Sequence, residues 1–138
     1  MSGIQNYQDL ITWKKSMDLS MMVYGKTARF PKDELYGLTQ QMRRAGVSVS
    51  SNIAEGWGRG TTGDYLRFLR TSRGSLCELE TQVQLAEQLG YLDPASAQEL
   101  LNGTMECKKV LQGLIGSVEY QQAQGRAVSS NSPGEYGE

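Results

Sequence analysis

The chain has 138 residues, of which 38% are hydrophobic and 21% charged, and its formal net charge is −1. This length fits one domain with a hydrophobic core, and the absence of any run of about 18 apolar residues argues against a membrane-spanning helix. The chain contains no histidine, which excludes Ser-His-Asp, Cys-His and zinc hydrolases, because each of these needs an imidazole in a defined role.

The first residues, MSGIQNYQDL, lack a basic region followed by an apolar stretch, so nothing in them marks the chain for secretion. The two cysteines, Cys77 and Cys107, are too few for a disulfide framework. We therefore expect a cytoplasmic protein with reduced thiols.

Apolar residues recur every three or four positions in four separate stretches, and each stretch predicts an amphipathic helix. The first helix covers about residues 8–29, and the second covers about residues 35–57. Asp33 or Glu34 lies where a carboxylate favours the positive end of the second helix. The first helix is expected to bury a face made of Leu10, Trp13, Met17, Met21, Tyr24 and Ala28.

The third helix is predicted over residues 62–89, after an N-cap hydroxyl in Thr61-Thr62 and before Gly90, which can end a helix. The fourth is predicted over residues 94–119, because Asp93-Pro94 supplies an N-cap and a proline at the first helical position. Four such helices with short links predict an all-α, antiparallel up-down four-helix bundle over residues 1–120. Residues 121–138 are rich in Gln, Ser and Gly and are predicted to form a disordered tail.

The stretch SNIAEGWGRG, residues 51–60, has three glycines at alternate positions beside Arg59. Phosphate-binding loops with such glycines follow a β-strand, whereas these glycines follow a helix whose C-terminal end repels phosphate. We therefore expect the glycines to end the second helix. A polar stripe runs through the same helix and is typical either of a solvated face or of a contact surface; it comprises Arg44, Ser48, Asn52, Glu55 and Arg59.

Charge is distributed unevenly along the chain, since residues 1–75 carry eleven basic and six acidic residues (+5) and residues 76–138 carry three and nine (−6). Arginine suits bidentate contacts with phosphates or carboxylates. If the second and third helices are antiparallel neighbours, the arginines gather toward one region of the bundle. The candidate nucleic-acid-binding residues are Arg43, Arg44, Arg59, Arg67, Arg70 and Arg73.

Two interpretations of these arginines remain open. They bind a nucleic acid, with Trp57, Tyr65 and Phe68 nearby for base stacking, or they pair with carboxylates of the protein itself. The second interpretation names Glu55, Glu78 and Glu80 as partners, and it places Tyr65 and Phe68 in the core. No paired carboxylates stand out, and the Glu-x-x-His motif of di-metal bundles is impossible here, so we predict no enzymatic activity, cofactor or metal.

Several segments together resemble a known protein family. The segments DLITWKKSMDL, FPKDELYGLTQQMRRAGVSVSSNIAEGWGR and GSLCELETQVQLAEQLGYL are similar to the bacterial four-helix-bundle proteins encoded within 23S ribosomal RNA intervening sequences. The accessory variability proteins of diversity-generating retroelements share this pattern. The resemblance covers about residues 7–118.

This resemblance implies a ring-shaped homo-oligomer, typically a pentamer, and for the retroelement members it implies binding to nucleic acid and to a reverse transcriptase. The sequence pI of about 5.5 departs from the strongly basic retroelement members. Identical subunits in a ring meet through two different surfaces, so basic and acidic patches can pair between copies. The candidate subunit-interface residues are Ser51, Asn52, Glu55, Gly74, Glu78 and Glu80.

The sequence thus leads to a non-enzymatic, oligomeric bundle protein that binds RNA or DNA in a ribosomal-RNA or retroelement context. The alternative is a protein-interaction scaffold in which the arginines serve subunit contacts and no nucleic acid is involved.

Overall fold

The computed structural model describes residues 4–125 of the chain. Within this range there is no strand, and four long helices form the fold: α1 (Ile11–Thr27), α2 (Leu38–Arg59), α3 (Thr62–Gln88) and α4 (Pro94–Ala123). Each helix packs against the next, and α4 also packs against α1, so that α2 and α4 lie on one diagonal of the bundle. The predicted all-α, up-down four-helix bundle is confirmed.

Side chains cap three of the helices as the sequence predicts. The Glu34 carboxylate accepts a hydrogen bond from the Leu38 backbone N–H at 3.0 Å, and Thr61 Oγ1 accepts one from the Asp64 N–H at 3.2 Å. Asp93 Oδ1 accepts the Ser96 N–H at 2.7 Å. These carboxylates and the hydroxyl satisfy backbone donors that have no partner within the helix.

The Glu34 carboxylate also links the two loops at one end of the bundle, because the Tyr91 hydroxyl donates to its second oxygen at 2.9 Å. The backbone donor of Leu38 and, next, the Tyr91 hydroxyl hold the pKa of Glu34 below its usual value. The same bond to Glu34 raises the pKa of Tyr91. One carboxylate thus caps α2 and connects the α1–α2 and α3–α4 loops.

Several helix boundaries differ from the prediction. Residues 7–9 form a separate 3₁₀ turn before α1, and the chain turns at residues 35–37 before α2 begins. Helix α4 continues to Ala123, so the first three residues of the predicted tail are helical. The rest of that tail, from residue 126 onward, lies outside the described residues.

The predicted buried face of the first helix is only partly right, since Leu10 is buried and Trp13 half-buried, but the rest of the face is exposed. Met21 is 72% exposed, and Met17 and Tyr24 are also exposed. The face that is buried lies about 100° round the helix and carries mostly small residues. Its members are Thr12, Ser16, Leu19, Ser20, Val23 and Thr27.

Helix α2 packs closely against both of its neighbours. The Ser20 hydroxyl of α1 donates to the Gly46 carbonyl at 2.9 Å, and the Ser72 hydroxyl of α3 donates to the Val49 carbonyl at 2.8 Å. At Gly56, a β-carbon would lie only 2.8 Å from Phe68 Cβ. Small residues at these three crossings therefore set the spacing between the helices.

The glycines of residues 51–60 have different roles, so the prediction that they end the helix together is only partly right. Helix α2 continues through Gly56 and Gly58, and it stops at Gly60, whose φ of 86° is left-handed. Gly56 is buried against α3, whereas a β-carbon at Gly58 would meet nothing within 4 Å. Only Gly60 is needed for its backbone conformation.

We expect Gly56→Ala to destabilise the bundle by about 1–3 kcal/mol, because the added methyl group overpacks the α2–α3 contact with Tyr65 and Phe68. Urea denaturation measures the change. Gly58→Ala is the matched control: it lies in the same helix in open space and should stabilise the protein by up to about 1 kcal/mol. Equal effects of the two substitutions would contradict the close contact.

Candidate functional site

The six candidate arginines do not form one cluster, which corrects the expectation that they gather in one region. Arg70 and Arg73 reach from α3 toward α4. Arg70 donates to the Glu119 carboxylate at 2.9 Å, and Arg73 donates to the Gln112 side-chain oxygen at 3.2 Å. These two arginines join neighbouring helices of the same chain.

Arg59 and Arg67 lie at the corner where α2 turns into α3. Arg59 pairs with Glu55 at 2.9 Å, and Arg67 pairs with Asp64 at 3.2 Å. Both guanidinium groups also lie over the Phe68 ring, at 5.0 and 4.5 Å from its centre. Each pair is solvent-exposed and contributes about 0–1 kcal/mol of stability. We call Arg59, Arg67 and Phe68 the arginine corner.

The three aromatic residues considered for base stacking are in different environments. Tyr65 is 1% exposed and belongs to the core, as predicted. Trp57 is half-buried and meets the Tyr65 ring edge-on, with the ring centres 6.1 Å apart. Phe68 is half-buried beneath the guanidinium groups of the arginine corner. Tyr65, which is buried, and Phe68, which lies beneath two guanidinium groups, do not present a bare ring face of the kind that stacks on bases.

Arg43 and Arg44 lie in the second turn of α2, near the opposite end of this helix from Arg59. Arg43 Nε donates to Thr27 Oγ1 at 2.9 Å, and the guanidinium lies 4.6 Å from the centre of the Tyr24 ring. Arg44 is exposed, and within residues 4–125 no carboxylate forms an ion pair with either arginine.

These two arginines border an open cavity of about 550 Å³ between α2, the end of α1 and the turn that joins them. The sequence does not reveal this cavity, because its apolar pattern starts the second helix at residue 35 and places Tyr24 on a buried face. The cavity combines aromatic and aliphatic surface with cationic groups. Its lining comprises Tyr24, Leu35, Tyr36, Thr39, Gln40, Arg43, Arg44, Val47 and Ser48.

The candidate interface residues lie on more than one side of the bundle. Ser51 borders the groove between α1 and α2, whereas Gly74 and Glu78 are exposed on α3. The Asn52 amide donates to the Ser48 carbonyl and hydroxyl of its own helix, at 2.8 and 2.9 Å.

The acidic members of that set do not all pair with arginine. Glu55 does so, with Arg59. Glu80 instead accepts a hydrogen bond from Lys108 of α4 at 2.7 Å, and this bond raises the pKa of Lys108. Among the ion pairs of residues 4–125, none includes Glu78. The predicted pairing with arginine therefore holds within the chain for one carboxylate of the three.

An apolar surface that the sequence analysis placed in the core lies on the outside of α1. Met17 is 39% exposed and Met21 is 72% exposed, and Val47 of α2 continues the surface at 42%. Half-buried Trp13 lines the groove between Met17 and α2. We call Trp13, Met17, Met21 and Val47 the outer stripe.

Two negative findings bear on the site. Within residues 4–125 no three His, Cys, Asp or Glu side chains are grouped so that they could hold a metal ion. In the same part of the chain, every helix is too short or too polar to cross a membrane.

Comparison with solved structures identifies a protein of unknown function from the S23 ribosomal protein family of Bacteroides thetaiotaomicron VPI-5482. The two chains superpose with a TM-score of 0.68 at 19% sequence identity, over 76% of this chain and 98% of the other. At that identity the likeness supports the fold alone. No curated protein matches the sequence.

The sequence profile of the 23S rRNA-intervening sequence proteins matches residues 8–113, and these residues include α1, α2, α3 and most of α4. No comparison bears on the resemblance to retroelement proteins, which stays a prediction. The chain belongs to the family of 23S rRNA-intervening sequence proteins.

Proposed function

We propose that this protein is a non-enzymatic scaffold that associates with copies of itself through the sides of its helical bundle. The outer stripe is the observation that carries this proposal. Its exposed methionines and Val47 form apolar surface on one side of the molecule. Contiguous apolar surface of this kind marks association sites, because covering it removes it from water at a gain of about 25 cal/mol per Å².

The second contact surface in this proposal is the side between α2 and α3. Asn52 and Glu78 lie there, and Gly74, one helical turn before Glu78, is exposed and has nothing within 4 Å of a β-carbon position. Such a flat place allows another subunit to approach closely. Two different surfaces on one chain favour head-to-tail contacts, which form a ring when the rotation between neighbouring subunits closes and a filament when it does not. The pentamer implied by the resemblance would have a mass of five times 15.3 kDa, about 77 kDa.

The ion pairs support this interpretation over nucleic-acid binding. Arg59, Arg67 and Arg70 each pair with a carboxylate of the same chain, so less positive charge is available to phosphates. Nucleic-acid affinity depends chiefly on cationic groups that replace counterions on the phosphates. Association through apolar surface needs no such charge.

We expect Met21→Glu to lower the oligomer mass toward the monomer value of 15.3 kDa, because a carboxylate in the centre of the outer stripe cannot be buried without a partner. Light scattering coupled to size-exclusion chromatography measures the mass. Met105→Glu is the matched control, since Met105 is 66% exposed on α4, outside both proposed surfaces. An unchanged mass for Met21→Glu would count against the outer stripe as a contact.

The second surface has its own test. Gly74→Arg should also reduce the mass, because a long charged side chain would stand where the neighbouring subunit packs. Gly113→Arg on α4 is the control, as both glycines are exposed within helices and have open space around them. If the two variants have the same mass as the unmodified protein, the α2–α3 side is not a subunit contact.

A second candidate function is binding to RNA or DNA, and the arginine corner is the observation that favours it. The guanidinium groups of Arg59 and Arg67 lie over the Phe68 ring. This ring is close to the N-terminus of α3, where backbone N–H groups favour anions. A phosphate competes there with Glu55 and Asp64, and these surface ion pairs are weak enough to exchange.

If nucleic acid binds at this corner, log affinity for a duplex should fall with log salt by about 0.9 for each phosphate contact. Arg59→Glu/Arg67→Glu should then reduce the slope by about 1.8, whereas Lys109→Glu on α4 should not. Fluorescence anisotropy with labelled duplex DNA and with structured RNA measures both. Absence of binding at low salt, or a slope insensitive to the corner residues, would exclude this function.

Four further expectations belong to the proposal: the absence of enzymatic activity, the cytoplasmic location, the partner and the genetic context. Absence of enzymatic activity and a cytoplasmic location follow from the sequence arguments. A reverse transcriptase as partner, and a ribosomal-RNA or retroelement context, follow from the resemblance.

A further inference from the structure

The cavity beside Arg43 and Arg44 has features of a binding site that the proposed function does not use. It lies between the end of α1, the turn at residues 35–37 and α2. Tyr36 is 84% exposed and Leu35 is 48% exposed at its rim, so two large apolar side chains stand in water. A ligand that covered them would gain from removing this surface from solvent.

The cationic side of the cavity prefers an acidic ligand. Arg43 donates a hydrogen bond to Thr27 through its Nε. Within residues 4–125, neither Arg43 nor Arg44 forms an ion pair. Other exposed arginines of the chain, such as Arg59 and Arg70, do have carboxylate partners. Guanidinium groups bind carboxylates in a bidentate, directional way.

A buried polar atom points to the same place. Thr39 lines the cavity and is 4% exposed, yet its hydroxyl has no hydrogen-bond partner among the described residues. A buried hydroxyl without a partner costs about 1–3 kcal/mol. A ligand with a polar group at the floor of the cavity would satisfy it.

These features together select a ligand that combines an aromatic ring with carboxylates. The Tyr24 ring already lies beneath the Arg43 guanidinium, and Tyr36 offers a second ring at the rim. Aromatic side chains pack edge-to-face or offset on such rings. An acidic peptide with one tyrosine fits this chemistry.

The chain itself contains such a segment, Glu135-Tyr136-Gly137-Glu138. Residues 127–138 hold two acidic residues and no lysine or arginine, so their charge is opposite to that of the cavity. Tyr136 is the only aromatic residue in this stretch.

The segment is long enough to reach the cavity. Helix α4 ends near the start of α3, because the Gln122 amide is 3.7 Å from the β-carbon position of Gly63. Arg44 is fifteen residues before the end of α2, about 22 Å along the bundle, and the diagonal between α2 and α4 adds about 13 Å across it. Eleven residues from Gly125 to Tyr136 span up to about 36 Å when fully extended, against about 26 Å for the straight line through the bundle to Arg44, so the segment reaches the near side of the cavity of its own chain only in an extended form, and a second copy is the other source.

We propose that the cavity lined by Tyr24, Tyr36, Thr39, Arg43 and Arg44 binds the acidic aromatic segment Glu135–Glu138 of this protein. Tyr136 packs between the cavity tyrosines, and the carboxylate of Glu135 or Glu138 pairs with the two guanidinium groups. The cavity borders the outer stripe, since Val47 belongs to both, but the inference requires no contact between copies of the protein.

Disulfide trapping in the full chain tests the proposal. In a Cys77→Ser background, which removes the exposed thiol, Gln40→Cys and Gly137→Cys place one thiol in the cavity and one in the segment. With oxidised glutathione as the oxidant, we expect this pair to cross-link about tenfold faster than a control pair, because docking raises the effective concentration of the thiols. Mass spectrometry of tryptic peptides measures the rate.

The control pair is Gln41→Cys with Gly137→Cys. Gln41 is the next residue of α2, at the same height, but it faces α3 and does not line the cavity. Adding Tyr136→Ala or Arg44→Glu should reduce the Gln40 rate to that of the control pair. Equal rates for Gln40 and Gln41, or a Gln40 rate that neither substitution changes, would overturn the proposal.

Mixing two single-cysteine chains, one with Gln40→Cys and one with Gly137→Cys, shows which copy supplies the segment. Cross-links between the two single-cysteine chains show that a neighbouring subunit supplies the segment. Cross-links only in the double variant show that the same chain supplies it. Either result supports docking. Because the double variant cross-links without any subunit contact, a monomeric mass would contradict the scaffold proposal and leave this one standing.

Discussion

The arrangement of the bundle depends on the close approach of α2 to α1 and α3. Serine hydroxyls of both neighbours donate to α2 carbonyls, from Ser20 to Gly46 and from Ser72 to Val49. Gly56 leaves no room for a β-carbon beside Phe68. Where helices cross this closely, large side chains do not fit between them. Met17 and Met21 of α1 therefore lie outside the bundle, and the outer stripe is a consequence of the α1–α2 spacing.

This consequence explains where the sequence predicts the fold well and where it does not. Helix number, order and caps follow from local patterns. Thr61 and Asp93 cap the N-termini of α3 and α4, and Gly90 adopts the left-handed conformation after α3, as their residue types predict. The buried face of α1 does not follow. Two sets of residues on α1 share the helical period, and hydrophobicity favours the set with Met17 and Met21, whereas the tight crossing selects the smaller set with Ser16 and Ser20. That choice depends on a neighbouring helix, which a single helical pattern does not contain.

In the candidate site, too, the sequence predicts some of the charged contacts and not others. One of the two interpretations drawn from the sequence, pairing with carboxylates, holds for Arg59, Arg67 and Arg70, but the partner of each arginine depends on the register between helices. Arg70 pairs with Glu119, forty-nine positions away, while Arg59 pairs within its own helix. The cavity at Arg43 and Arg44 could not be predicted from the sequence for a related reason. It exists because the chain turns at residues 35–37, where the apolar pattern predicts that the helix has already begun.

The positions of the two proposed contact surfaces also restrict the kind of assembly. The outer stripe lies on the α1–α2 side and Glu78 on the α2–α3 side, and neighbouring sides of a four-helix bundle face about 90° apart. In a closed ring, the two contact directions of one subunit differ by about 90° for four subunits, 108° for five and 120° for six. Opposite sides, about 180° apart, would instead give an open filament. In the proposed assembly, adjacent contact surfaces would give a small closed ring, and the pentamer implied by the resemblance stays a prediction.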